Sequence, residues 1–221
     1  MAFINQLETA FQTHKNIQNS LAMAKYMKNH FAFYGIKTTD RRLLLKEIWH
    51  THKEEIKNNI QNTATELYTR KQRELHYCAI EIVIKESKGN YKKSDIRFIE
   101  KLITTNSWWD SVDTISKYIL GQYLLEFPDA VENTIEKFSN SDNLWLNRSA
   151  ILFQLGYKEK TDFDLLKAIC QQHENSTEFF IQKAIGWSLR EYAKTNPDQV
   201  ILFVENSKLK PLSKKEAVKN L

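Results

Sequence analysis

The sequence predicts an all-α protein, an α-solenoid of stacked helical pairs, on three observations. Apolar residues recur at a period of about 3.6 along nearly the whole chain. Gly and Pro together supply only 8 of 221 residues (5 Gly, 3 Pro), about 4% against an average usage nearer ~12%, which disfavours turn-rich β folds and doubly wound sheets. A self-similarity at a spacing of 35 residues runs through the second half, and helix pairs that cannot bury their own apolar faces must stack on their neighbours. One domain over 1–221 is expected.

Taken in order, the first helix is expected at 2–14, where Phe3, Ile4, Leu7, Ala10 and Phe11 share a face; this is not the continuous apolar run of a signal peptide. Further helices are expected at 18–30, 39–52, 55–69, 72–87, 94–105, 108–120, 128–139, 143–157, 162–173, 177–195, 198–206 and 213–221. Pro128 and Pro197 each suit a first helical turn. Ser213 with Glu216 has capping-box spacing, and Thr161 with Asp164 resembles it.

Several functions are excluded or disfavoured. The five glycines (35, 89, 121, 156, 186) lie at least 30 residues apart, so no glycine-rich phosphate loop exists. The longest stretches free of charged residues, 16–24 and 149–157, are nine residues, whereas a membrane span needs about 20. Cys78 and Cys170 sit inside apolar helical patterns, pointing to a reduced, cytoplasmic protein without a disulfide framework. His50 and His52 are two apart, and no histidine stands in metal-ligand spacing with a cysteine; no metal and no cofactor are expected. A Gly-x-Ser-x-Gly elbow is also missing.

Net charge is +5 with a pI near 9.0, which permits a polyanionic partner without demanding one. Residues 1–70 carry 10 basic and 6 acidic groups, 71–140 carry 10 and 11, and 141–221 carry 12 and 10. Basic ends around a neutral middle suit an extended ligand gripped at both ends; chance gives the same profile.

The repeat is the more informative signal. LWLNRSAILFQLGY (144–157) aligns with FFIQKAIGWSLREY (179–192), and WDSVDTISKYIL (109–120) falls into line one repeat earlier. Asp113, Arg148 and Lys183 then occupy one equivalent position in three successive repeats, forming a ladder across one face, commonly the concave one. Trp109 stands four residues before Asp113 and Trp187 four after Lys183, so each indole shares a helix face with the ladder. Both tryptophans are equally readable as core residues. Trp108, rotated by about 100°, is the alternative occupant of the core.

Two indole faces beside a carboxylate attract developing positive charge. Purine N-glycosidic hydrolysis passes through an oxocarbenium-like sugar, and glycosidases use two carboxylates because the leaving group must be protonated. A purine alkylated at N3 or N7 is already cationic and leaves neutral, so one carboxylate suffices.

The chain resembles the AlkD-type DNA alkylation repair glycosylases, built from HEAT-like helical repeats. The likeness is carried by MAKYMKNHFAFYGIKTTDRRLLLKEIW (23–49), SWWDSVDTIS (107–116), SDNLWLNRSAILFQLGYKEK (141–160), EFFIQKAIGWSLREYAKTNP (178–197) and LSKKEA (212–217). The resemblance implies metal-free excision of cationic alkylpurines such as 3-methyladenine and 7-methylguanine from duplex DNA, with the lesion left largely in the stack rather than flipped into a pocket. It places Asp113 as the catalytic carboxylate, Trp109 and Trp187 against the lesion's deoxyribose, and Arg148 at the adjacent backbone phosphate. Thr39 departs from the family, which usually has proline there; this bears on the start of one helix only.

Lys183 is read as a phosphate contact or a solvated lysine. Arg41 and Arg42, the pair Lys92 and Lys93, and the C-terminal Lys208, Lys210, Lys214, Lys215 and Lys219 are candidates for phosphates farther along the duplex, against solvated surface. Tyr26 and Lys28 are candidates for the strand opposite the lesion. Asp110 is read as orienting or surface-exposed. The expected partner is double-stranded DNA containing alkylated bases, bound by a monomer. The competing reading is a non-catalytic helical-repeat protein that binds DNA structure or a protein partner.

Overall fold

The computed structural model describes residues 1–219. Among them there is no strand, and backbone pairing outside the helices includes one isolated parallel bridge between Ala32 and Gln72. The all-α expectation holds. The chain forms two compact units, Met1–Asn90 and Tyr91–Leu221.

The first unit contains α1 (Ala2–Thr13), α2 (Ile17–Tyr26), α3 (Thr38–Thr51), α4 (Lys53–Lys57), α5 (Ile60–Tyr68) and α6 (Arg73–Ser87). Phe3, Ile4, Leu7 and Phe11 are the buried face of α1, as their spacing predicts. The helix expected at 18–30 ends at Tyr26 because Lys28 and Asn29 take left-handed conformations (φ 56° and 60°), and the Asn29 N–H returns to the Ala24 carbonyl at 2.7 Å, closing the helix end. The helix expected at 55–69 is two helices. Asn59 breaks it: its side-chain amide donates to the Glu55 carbonyl, a local bond that competes with the helical ladder. The Glu74 carboxylate, 1% exposed, accepts from the N–H groups of Tyr34, Gly35 and Ile36 and so fixes the turn before α3.

The second unit contains α7 (Ile96–Thr104), α8 (Trp109–Ile115), a π-turn (Ser116–Leu120), α9 (Gly121–Glu126), α10 (Val131–Ser139), α11 (Leu144–Leu152), α12 (Phe163–Gln172), α13 (Phe179–Ala193), α14 (Pro197–Asn206) and α15 (Pro211–Ala217). Within it α7 packs on α8, α10 on α11 and α12 on α11, while α8, α11 and α13 lie in sequence against one another. That succession is the predicted repeat.

Three boundaries differ from expectation. The helix starting at 109 runs on to Glu126 through the π-turn. The helix expected at 143–157 stops at Leu152, and the turn after it contains Gly156 at φ 87°, a conformation that favours glycine. The last helix begins at Pro211, two residues before the expected cap, and of the expected 213–221 span residues 220–221 lie outside the described residues. Ser213 is therefore interior, and its hydroxyl donates to the Gln182 carbonyl at 3.0 Å. Likewise the cap of α12 is Asp162, which accepts from the Leu165 N–H at 2.9 Å, not Thr161. Pro128 opens a short 3-10 turn and Pro197 the first turn of α14. No helix among the described residues is long and apolar enough to cross a membrane. Both cysteines are free and buried, and burial pushes each thiol up to about 12.

Candidate functional site

The 35-residue spacing has a direct physical consequence in the second unit. Asp113 on α8 and Arg148 on α11 meet as a bidentate pair: Nε donates to Oδ1 at 2.7 Å and Nη2 to Oδ2 at 2.9 Å. Their side chains are 14% and 5% exposed. The remaining Arg148 terminal nitrogen, Nη1, donates to the Phe180 carbonyl in the first turn of α13, and the guanidinium carbon lies 5.8 Å from the Phe180 ring centroid. A planar fork engaging both carboxylate oxygens fixes orientation as well as charge.

Burial raises the Asp113 carboxyl above its ordinary value; the hydrogen bonds and charge of Arg148 pull it back, and Asp110 adds to the rise. The net shift is upward. Behind the pair, the buried hydroxyls of Ser116 and Ser149 approach to 2.8 Å and also meet the carbonyls of Val112 and Trp145. The two hydroxyl protons satisfy two of these three contacts at a time, and the link ties the start of the π-turn to α11.

The third rung of the ladder differs. Lys183 pairs with Glu216 on α15 at 2.9 Å, and Glu216 also receives Arg190 at 2.8 Å. These two hydrogen bonds hold the Glu216 carboxyl down to about 2. The close approach that allows the cluster depends on Gly186, where a Cβ would fall 2.4 Å from Glu216 Cβ and 2.8 Å from the Ser213 carbonyl oxygen.

Trp109 and Trp187 are half-buried, so neither is enclosed in the core. Trp108 is half-buried as well, and its ring joins an aromatic cluster: its centroid lies 5.7 Å from Trp145 and 5.3 Å from Phe180, and those two rings are 5.2 Å apart. Trp145 and Phe180 escaped the sequence reading, yet Asp110, Trp145 and Phe180 stand 35 residues apart and the same repeat would have found them. Glu216 had no such signal, because its spacing from Ser213 reads as a cap.

Two residues expected at phosphates are engaged within the protein. Arg148 is almost wholly buried and its donors are engaged by Asp113 and Phe180, so in this conformation it positions the carboxylate. Arg41 is 4% exposed and donates to Glu81 at 2.8 Å, because its face of α3 packs on α6. Arg42 shares that Glu81 oxygen at 3.0 Å but keeps its side chain 64% exposed. Tyr26 is 68% exposed at the end of α2, and Lys28 is exposed in the turn that follows. These residues belong to the first unit.

An all-α array of helical repeats presenting a largely buried carboxylate and guanidinium pair on α8 and α11, with half-buried indoles on α8 and α13, defines a class of repeat protein. The sequence model of the DNA alkylation repair enzyme family matches residues 7–221, and the chain belongs to that family. It is similar in structure to a predicted DNA alkylation repair enzyme from Enterococcus faecalis, with 33% identity and a TM-score of 0.85 over 94% of this chain and 96% of that one. It is also similar to smu.31 from Streptococcus mutans UA159, with 18% identity and a TM-score of 0.60 over 82% of this chain and 97% of that one, a likeness of fold alone. Comparison with curated proteins gives no match.

Proposed function

We propose that the protein is a monofunctional DNA glycosylase that hydrolyses the N-glycosidic bond of cationic N3- and N7-alkylated purines, including 3-methyladenine and 7-methylguanine, in duplex DNA. The observation that carries this reading is the Asp113 carboxylate, held by both oxygens on Arg148 and sharing its helix face with Trp109.

The C1′–N bond breaks and its electron pair leaves with the purine, which departs uncharged. Positive charge then develops on the sugar, where the Asp113 carboxylate and the faces of Trp109 and Trp187 stabilise it. Water adds its oxygen to C1′ and gives up a proton. Asp113, whose affinity for a proton is raised by burial, receives it. Each oxygen uses one acceptor direction for Arg148 and retains another for the water. Arg148 is a positioning residue here, and its charge keeps the carboxylate ionised until the sugar cation forms. Selection follows from the lability of the cationic nucleotide, so no pocket for an extruded base is required.

The test is release of free 7-methylguanine from alkylated duplex DNA by wild type and by Asp113→Asn, with folding of both checked by circular dichroism. The variant is expected to lose about 10²-fold or more in single-turnover rate. Equal release by the two proteins overturns the assignment of Asp113. A second reading, a non-catalytic DNA-binding protein, draws on the same ion pair, since a carboxylate neutralised by a guanidinium also serves packing. It predicts salt-dependent binding without base release by wild type.

A further inference from the structure

Arg148 is paired with Asp113, and Lys183 and Arg190 share the Glu216 carboxylate, so each of these cations already has an anionic partner. A polyanion seated at Asp113 needs another cation. Trp109, Asp113 and Lys117 follow one another at intervals of four residues, so indole, carboxylate and ammonium form one stripe.

Lys117 is half-buried and forms no ion pair among the described residues. Its stem is held in place. A Cβ on Gly156 would stand 3.2 Å from Lys117 Cε and 3.6 Å from Nζ, so the glycine turn after α11 is the wall along which the lysine runs. On its other side Nζ lies 4.9 Å from the ring centroid of Tyr118, which is 49% exposed. A cation with a confined stem and no carboxylate partner loses less side-chain freedom on meeting an anion than a free surface lysine does.

We propose that Lys117 is an anion-binding residue of this site and contacts a DNA backbone phosphate next to the nucleotide at Asp113. The inference rests on the glycosylase reading for its ligand, and its test separates the two.

Binding of an undamaged duplex oligonucleotide is measured by fluorescence anisotropy across a salt series for wild type, Lys117→Met, Lys117→Arg and Lys101→Met, the last removing an exposed cation of α7. Loss of one phosphate contact lowers the magnitude of the slope of log K against log salt by about 0.9, or roughly tenfold in affinity at about 0.1 M salt. That change is expected for Lys117→Met, whereas Lys117→Arg and Lys101→Met keep the wild-type slope. A wild-type slope in Lys117→Met, or an equal fall in Lys101→Met, overturns the proposal. Release of 7-methylguanine by wild type reports separately: binding with the expected slopes but no base release keeps the Lys117 assignment and removes the glycosylase reading. Failure of wild type to bind duplex DNA removes both.

Discussion

Arg148 holds Asp113 by both carboxylate oxygens across the contact between α11 and α8, at 2.7 and 2.9 Å, while its third nitrogen reaches the Phe180 carbonyl of α13. One side chain thus couples three successive repeats and sets the direction of the carboxylate.

Removing the guanidinium leaves a buried carboxylate without its counter-charge. Arg148→Met is expected to destabilise the protein by about 3–5 kcal/mol, read from urea unfolding. Combining it with Asp113→Asn should recover part of that loss, because the uncompensated charge is gone; losses that simply add would argue against the pair. Arg148→Lys keeps the charge but not the fork. It is expected to lower base release by about 10²-fold through misplacement of the carboxylate.

The pH dependence of base release follows from Asp113. Burial raises its carboxyl, and the reaction needs the ionised form. The rate should fall as pH drops through a point above the ordinary carboxylate value of 3.8. A rate flat down to the ordinary range would contradict an essential ionised Asp113.

Glu216 gives a separate pH effect, on stability. Its carboxyl is depressed from an ordinary 4.5 to about 2 by Lys183 and Arg190. A depressed carboxyl contributes stability that is fully present above its unfolded value and is lost as pH falls through the folded one. The gap in Tm between wild type and Glu216→Gln should be widest above pH 4.5 and close as pH approaches 2. A gap independent of pH in that window would sink the ion-pair account.

Gly186 tests the packing of α13 on α15. An added methyl would meet the Ser213 carbonyl at 2.8 Å and Glu216 Cβ at 2.4 Å, and backbone cannot swing aside as a long side chain can. Gly186→Ala is expected to cost about 1–3 kcal/mol. For a chain of this length that is a fall in Tm of several degrees, measurable by calorimetry.

Much of this is legible in the amino-acid sequence. The apolar period placed nearly every helix, and the 35-residue repeat put Asp113, Arg148 and Lys183 in register because equivalent residues of stacked repeats face the same neighbours. What escaped were features set by single side-chain hydrogen bonds to nearby backbone. The break at Asn59 and the π-turn after Ile115 each include a side chain bonding the carbonyl four residues back, and the cap at Asp162 rests on its bond from the Leu165 N–H. Periodicity does not record these bonds.

By itself, then, the sequence determined the helices, their stacking order, and the register that aligns a carboxylate with two cations. The tertiary structure alone decided how those cations are used. Arg148 is buried against Asp113 and Phe180 because α8, α11 and α13 pack in succession. Lys183 turns to Glu216 because Gly186 lets α15 approach α13. Periodicity encodes which face a residue occupies; the distance between helices, set by the side chains at their closest approach, decides which charges meet.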